Sequence, residues 1–174
     1  MKKLIIIMIT FILIISFFIG GIISIIFKFK EEAHSKEKVH LPKITLTDLE
    51  NNKISFNKLA QPTILLFFLP QSKSCQEELD ILKKFKNQYP KLNILAIAIG
   101  NIDPKKIQEL INQSEINYPI IIDKKVKLTE KLSVTAIPTL VFYNPYDKPF
   151  ITVGLKEETE LEKLLKEHLT SLSL

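Results

Sequence analysis

The stretch Phe67-Phe68-Leu69-Pro70-Gln71-Ser72-Lys73-Ser74-Cys75-Gln76-Glu77-Glu78-Leu79 contains a sharp change of pattern. An apolar run over residues 63–69 stops at Pro70, which is typical of a buried strand followed by a turn. Cys75, the only cysteine, then opens a helical pattern that continues through Leu79, Leu82 and Tyr89. This arrangement predicts a thiol at a helix N-terminus, where unpaired N–H groups and the positive dipole end stabilise a thiolate.

The strand, turn and helix over residues 63–88 form a corner, and the segments on either side of this corner alternate between strand and helix patterns. Residues 44–47 and 54–56 predict a small hairpin around Asn51-Asn52. Asp103-Pro104 predicts a helix N-cap followed by proline at the first helical position. Alternating strands and helices imply parallel pairing with crossovers, and a late hairpin adds antiparallel strands. Strands are predicted at 63–69, 92–99, 119–122, 139–143 and 149–153, and helices at 74–88, from 104, at 125–132 and at about 161–169.

The corner resembles the active-site corner of thioredoxin-like proteins, most closely the membrane-anchored TlpA/ResA type of thiol–disulfide oxidoreductase (redoxin or AhpC-TSA-like). That family carries Trp-Cys-x-x-Cys directly after the strand, followed by a Glu. Laid on this sequence, the tryptophan position is Gln71, the first cysteine is Ser72, the second is Cys75 and the acidic residue is Glu78. The resemblance implies an α/β, three-layer thioredoxin-like fold with a mixed central sheet and an N-terminal β-hairpin extension.

The Ser-x-x-Cys pattern changes the chemistry that the resemblance implies. Thiol–disulfide exchange needs one thiolate to attack and a second thiol to release the product. Ser72 cannot attack a disulfide, so the two-cysteine cycle is impossible within this chain and enzymatic activity stays open. Cys75 is either a buried small hydrophobe or a helix-stabilised thiolate. Ser72 fits a helix N-cap as well as a partner of that thiol.

Two further site elements come from the resemblance. Glu78 matches a proton-handling carboxylate, although the role of Glu77, a first-turn carboxylate that favours the helix dipole, suits Glu78 almost as well. Ile137-Pro138-Thr139 matches the motif in which the proline is cis and faces the redox pair; an ordinary trans proline at a strand start is the alternative. In the family the backbone before this proline pairs with an extended polypeptide, so Ala136, Ile137 and Pro138 are the expected substrate-binding residues.

The N-terminal segment predicts a membrane anchor. The run from Leu4 to Phe27 reaches the ~20 apolar residues that cross a bilayer, and no small-residue cleavage site follows it. We expect an anchor or uncleaved signal at 1–28, a charged linker at 29–40 and the thioredoxin-like domain at 41–174. Lysines flank both ends of the run, so orientation rests on the resemblance, which implies a cytoplasmic N-terminus and an extracytoplasmic domain.

Composition limits the classes of molecule that the protein is expected to bind. The formal charge is +5, from 24 basic residues against 19 acidic ones, and the sequence contains no arginine. The lysines alternate with glutamates and form no basic stripe with aromatics, which argues against nucleic-acid binding. One cysteine and three scattered histidines predict no metal site, and no cofactor is expected. The expected partner is a thiol- or disulfide-bearing protein or extended peptide of the cell envelope.

Two other functions fit the same corner. A non-catalytic module would keep the peptide-binding loop without redox chemistry. A peroxiredoxin-like peroxidase would use Cys75 as the attacking thiol, with Ser72 as its hydrogen-bonding partner. The peroxidase pattern places its proline where this chain has Phe68, and it uses an arginine that this chain lacks.

Overall fold

The computed structural model describes residues 40–169 and shows a five-stranded mixed sheet. The strands run in the order β5-β4-β3-β6-β7, with β3, β4 and β5 parallel and β6 and β7 antiparallel to their neighbours. The elements are β1 (Thr45–Thr47), β2 (Lys53–Ser55), β3 (Thr63–Phe68), α1 (Lys73–Gln88), β4 (Asn93–Ile99), α2 (Pro104–Ser114), β5 (Ile120–Asp123), α3 (Lys127–Lys131), β6 (Thr139–Tyr143), β7 (Phe150–Val153) and α4 (Glu158–His168).

Two apolar layers cover the two faces of this sheet. Because side chains alternate along a strand, β3 sends Ile64, Leu66 and Phe68 to one face and Leu65 and Phe67 to the other. The first face packs against α1, α2 and α4, and the second against α3 and the segment around the N-terminal hairpin. The predicted three-layer, thioredoxin-like arrangement with a mixed sheet is therefore confirmed.

The N-terminal hairpin closes one side of the sheet. β1 and β2 pair antiparallel, with Leu46 opposite Ile54, and Asp48 forms an isolated bridge with Ile121 of β5. The Asp48 carboxylate accepts hydrogen bonds from the backbone N–H groups of Glu50 and Asn52, which holds the turn. The hairpin extension is confirmed, although the chain enters a short 3₁₀ turn at Phe56 instead of continuing the strand.

One predicted helix is shorter than expected. The pattern predicted residues 125–132, but α3 begins only at Lys127, after Val126 takes a left-handed conformation with φ 53°. The buried Asp123 carboxylate accepts the N–H groups of Leu128 and Thr129 and the Thr129 hydroxyl. This side chain fixes the start of the helix, and residues 124–126 form the turn that reaches it.

The predicted single-pass membrane localisation is corrected. Within residues 40–169 no helix is long and apolar enough to cross a membrane. The segment on which that prediction was based, residues 1–28, lies outside the described residues, as do residues 29–39 of the predicted linker and the last five residues of the predicted domain.

Candidate functional site

The corner between β3 and α1 is held by backbone and side-chain hydrogen bonds. The Ser72 N–H donates to the Leu69 carbonyl at 3.1 Å, which closes the turn after the strand. The Gln76 N–H donates to the Ser72 carbonyl at 3.0 Å, and the Gln76 side chain donates to the Pro70 carbonyl at 2.7 Å. The turn is therefore tied to the first turn of α1 at both of its ends.

Ser72 occupies the N-cap position of α1 without capping it. Its backbone is extended, with φ −82° and ψ 123°, as an N-cap requires, but its hydroxyl accepts no helix N–H. The hydroxyl instead lies 3.1 Å from that of Ser74. The predicted position of Ser72 is confirmed, and the predicted capping bond is wrong. The side chain is half-buried, so it is the residue of the Ser-x-x-Cys pair that reaches the surface.

Cys75 lies beneath that surface. Its side chain is fully buried and packs in the cluster that includes Phe68 and Leu79. It is a free thiol, and the sequence contains no second cysteine for an internal disulfide. This environment matches the interpretation of Cys75 as a small core side chain, because a disulfide sulfur has no direct approach to the buried thiol in this conformation.

Glu78 follows Cys75 by three residues, which places the two on the same face of α1. One carboxylate oxygen, Oε2, accepts the backbone N–H of Lys156 at 2.8 Å, while the other is buried without a hydrogen bond within residues 40–169. Burial raises the pKa of Glu78 to about 7, partly opposed by the Lys156 N–H bond and by the Lys156 charge. The Glu78 carboxyl therefore titrates near neutral pH.

The loop before β6 lies at the same edge of the sheet as the corner. Phe67 pairs with Thr139 in the β3–β6 ladder, so one further step of this register places Pro138 opposite Phe68. The Ile137–Pro138 bond is cis, as predicted, and the Pro138 carbonyl accepts the Gly154 N–H at 2.8 Å. The Thr139 hydroxyl donates to the Ala136 carbonyl at 2.7 Å, which holds the loop.

The backbone of Ile137 is left open by these contacts. Its N–H and carbonyl form no hydrogen bond with any part of the chain that the structure describes. Ala136 is exposed, Ile137 is half-buried and Pro138 is buried. An extended polypeptide can therefore pair with Ile137 in the manner of an added strand.

Sequence reasoning missed the contact that Lys156 makes with the site. Its backbone N–H is the donor to Glu78, and its side chain donates to the Val153 carbonyl and lies 3.5 Å from Glu160. No motif marks such a residue, because every residue except proline carries the same N–H group. Within residues 40–169, histidine, cysteine and acidic side chains form no cluster of three or more that could hold a metal ion.

The fold and the corner define a thioredoxin-like protein of the TlpA/ResA type. Residues 38–148 match the model of the AhpC/TSA family, and the chain belongs to that family. It is 22% identical over 140 residues to sporulation thiol-disulfide oxidoreductase A of Bacillus subtilis, covering 74% of this chain and 85% of that protein. It is 25% identical over 138 residues to the thiol-disulfide oxidoreductase ResA of Bacillus anthracis, covering 75% and 80%.

Solved structures agree on the fold. The crystal structure of StoA from Bacillus subtilis superposes with a TM-score of 0.60 at 21% identity, covering 70% of this chain and 98% of StoA. The crystal structure of a putative thiol:disulfide interchange protein DsbE from Chlorobium tepidum superposes with a TM-score of 0.67 at 14% identity, covering 76% and 97%.

Proposed function

We propose that this protein binds thiol- or disulfide-bearing polypeptides at a TlpA/ResA-type site without performing two-cysteine exchange itself. The observation that carries the proposal is the full burial of Cys75 beneath the half-buried Ser72, which stands at the position of the family's first cysteine. The relatives named thiol-disulfide oxidoreductases support a polypeptide substrate of this class.

The chemistry of thiol–disulfide exchange explains why this chain can bind a polypeptide without reducing its disulfide. A thiolate attacks one sulfur of a substrate disulfide, forms a mixed disulfide and releases the other sulfur as a thiol; a second thiol then breaks the mixed bond. In this chain Ser72 supplies neither sulfur, and Cys75 is both buried and alone. A reaction at this site therefore needs a thiol from another molecule for one of its two steps.

The loop over Ala136–Pro138 supplies the binding surface. Ile137 offers an unpaired N–H and carbonyl to an extended chain, while Pro138 and Thr139 are held by the contacts to Gly154 and Ala136. Main-chain pairing of this kind gives affinity that is independent of the substrate's side chains. It also survives the loss of the attacking cysteine, because it uses no sulfur.

Titration of the full-length chain with a peptide that carries one intramolecular disulfide tests the proposal. Calorimetry measures binding, and mass spectrometry of the peptide measures reduction. We expect binding with no reduction when no other thiol is present. Ala136→Trp should abolish binding by filling the exposed side of the loop, whereas Gln61→Trp, at the opposite edge of the sheet, should not. Peptide reduction by the unmodified chain, or unaltered binding by Ala136→Trp, would contradict the proposal.

The peroxidase alternative gains no support from the geometry. A peroxide must reach the attacking sulfur, and the Cys75 side chain has no exposed surface. The Ser72 hydroxyl hydrogen-bonds to the Ser74 hydroxyl, whereas the peroxidase alternative pairs it with the thiol.

A further inference from the structure

β7 is the last strand on one side of the sheet, and its outer edge pairs with no other strand of the described part of the chain. Its residues Ile151 and Val153 have exposed fractions of 43% and 52%. Ile151 lies opposite the buried Val141 of β6, so Ile151 and Val153 point to the same face of the sheet as Val141. All the exposed large hydrophobic side chains of the described part lie between residues 146 and 155. Such a concentration of apolar surface is typical of an interaction site.

The backbone of β7 presents polar groups at the same edge. Pro138 and Gly154 continue the β6–β7 register by one step, and the Gly154 N–H donates to the Pro138 carbonyl at 2.8 Å. These two residues therefore form a hydrogen-bonded pair of the antiparallel ladder, in which such pairs alternate with non-hydrogen-bonded pairs. By this alternation the N–H and C=O groups of Ile151 and Val153 point away from β6, toward the outer edge.

Only one of these outward groups has a hydrogen-bond partner within residues 40–169. The Lys156 side chain donates to the Val153 carbonyl at 3.1 Å, and a carbonyl oxygen can accept a second hydrogen bond. The Val153 N–H and both backbone groups of Ile151 have none. β7 also contains no charged residue and no proline, which are the residues that commonly protect an exposed strand edge from pairing.

The two ends of β7 carry charges of opposite sign. Lys148 precedes the strand and Glu157 follows it; both are exposed, and neither forms an ion pair within residues 40–169. The other charged side chains beside these ends already have partners in the same chain. They are Asp147 with the Lys148 N–H, Lys156 with Glu160, and Glu158 with Lys84. An antiparallel neighbour identical to β7 would bring the Lys148 end of each copy to the Glu157 end of the other.

We propose that two copies of this protein pair through the outer edges of β7, as antiparallel strands about a two-fold axis at Thr152. Ile151 of each copy then lies opposite Val153 of the other, and the two residues exchange backbone hydrogen bonds. The partner is a second copy because the edge is complementary to itself: its apolar side chains meet each other, and its end charges meet their opposites. The pairing is independent of the proposed function, since it uses no residue of the Ser72 corner.

Sedimentation equilibrium of the full-length chain measures this pairing. The buffer contains a density-matched detergent because residues 4–27 are largely apolar, and every variant keeps that segment, so association through it would appear in all of them. We expect a monomer–dimer equilibrium for the unmodified chain. Ile151→Lys should be monomeric wherever the unmodified chain is dimeric, because it places a charge at the pairing edge of both copies. Its urea midpoint should stay close to that of the unmodified chain, since the Ile151 side chain is exposed.

Charge reversal tests the antiparallel orientation. Lys148→Glu and Glu157→Lys should each weaken dimerisation about tenfold, because each change acts twice in a symmetric pair. The double variant Lys148→Glu/Glu157→Lys restores opposite charges, and its dissociation constant should return to within about threefold of the unmodified value. The matched control Lys105→Glu makes the same change in net charge at the start of α2, which follows β4 and is separated from β7 by two strands. It should leave dimerisation unchanged.

Four results would overturn the pairing. One is a chain that stays monomeric up to its limit of solubility, and another is a dimer that persists in Ile151→Lys, because its interface then lies elsewhere. A third is equal weakening by Lys105→Glu and Lys148→Glu, or a double charge reversal that stays as weak as the single ones. The fourth is a monomeric chain whose affinity for the disulfide peptide falls in Ile151→Lys, which would assign this edge to the bound polypeptide.

Discussion

Glu78 and Lys156 are joined by a hydrogen bond of 2.8 Å, although 78 residues separate them in the chain. The bond ties the first half of α1 to the connector between β7 and α4. It satisfies one oxygen of a fully buried carboxyl, while the other has no hydrogen bond within residues 40–169. A buried carboxyl with one unpaired oxygen makes the free energy of unfolding depend on pH, because burial disfavours its charged form.

Stability should fall as pH rises through the acidic range because of Glu78. Its pKa is about 7 in the folded chain against an ordinary 4.5, so the folded state holds the proton more tightly than the unfolded state. The contribution of Glu78 to the free energy of unfolding should be highest below pH 4.5, fall between 4.5 and 7, and level off above 7. The Glu78 share of this loss is on the order of 3 kcal/mol.

Urea unfolding at a series of pH values measures this effect. Glu78→Gln should flatten the pH dependence between 4.5 and 7, because it removes the titrating group. The neighbouring variant Glu77→Gln removes an exposed carboxyl and should keep the slope. An unchanged slope in Glu78→Gln would show that other groups cause the pH dependence.

The variant Ser72→Cys should restore dithiol chemistry at the corner. Oxidised glutathione would oxidise the introduced thiol and the Cys75 thiol to an intramolecular disulfide and would itself be reduced to two molecules of glutathione. Mass spectrometry detects this disulfide as the loss of two hydrogens from the protein. The oxidised pair should be reducible by dithiothreitol. Ser74→Cys serves as the control, since its new thiol adjoins Cys75 in sequence and lacks the Cys-x-x-Cys spacing. A glutathione adduct on Ser72→Cys without the internal disulfide would refute the expectation.

Cys75 should react slowly with iodoacetamide in the native chain. Its side chain is fully buried, so alkylation must wait for a local or global opening. We expect the native rate to be about 100-fold or more below the rate in denaturant, since such openings cost several kcal/mol. The double variant Ser72→Cys/Cys75→Ala moves the thiol to the half-buried position and should react much faster. Equal native rates for the two chains would mean that Cys75 is accessible.

Asp123→Ala should destabilise the fold. The carboxylate accepts three hydrogen bonds, two from backbone N–H groups and one from the Thr129 hydroxyl, all in buried surroundings. Leaving these donors unpaired should cost on the order of 3 kcal/mol, measured by urea unfolding at neutral pH. Asp80→Ala removes an exposed carboxylate paired with Lys83 at 3.9 Å, and should change stability by less than about 1 kcal/mol. Similar losses in both variants would contradict the role of Asp123.

Much of the fold followed from local pattern. The β6 strand was predicted at its observed bounds, and Asp103 caps α2 as its position before Pro104 indicated. The start of α3 was missed because the side chain of Asp123 draws the first N–H groups toward itself. Ser72 was interpreted either as a helix N-cap or as a partner of the thiol; it lies at the N-cap position, but its hydroxyl hydrogen-bonds to the Ser74 hydroxyl instead of a helix N–H.

The sequence by itself determined the order of strands and helices and the absence of a second thiol, because hydrophobic period and composition are local properties. Tertiary structure decided the rest of the site. The burial of Cys75 and the hydrogen bond from the Lys156 N–H to Glu78 depend on which distant segments pack together. Such packing depends on the contacts of the whole sheet with the apolar layers on its two faces. It therefore cannot be predicted from any short stretch of sequence.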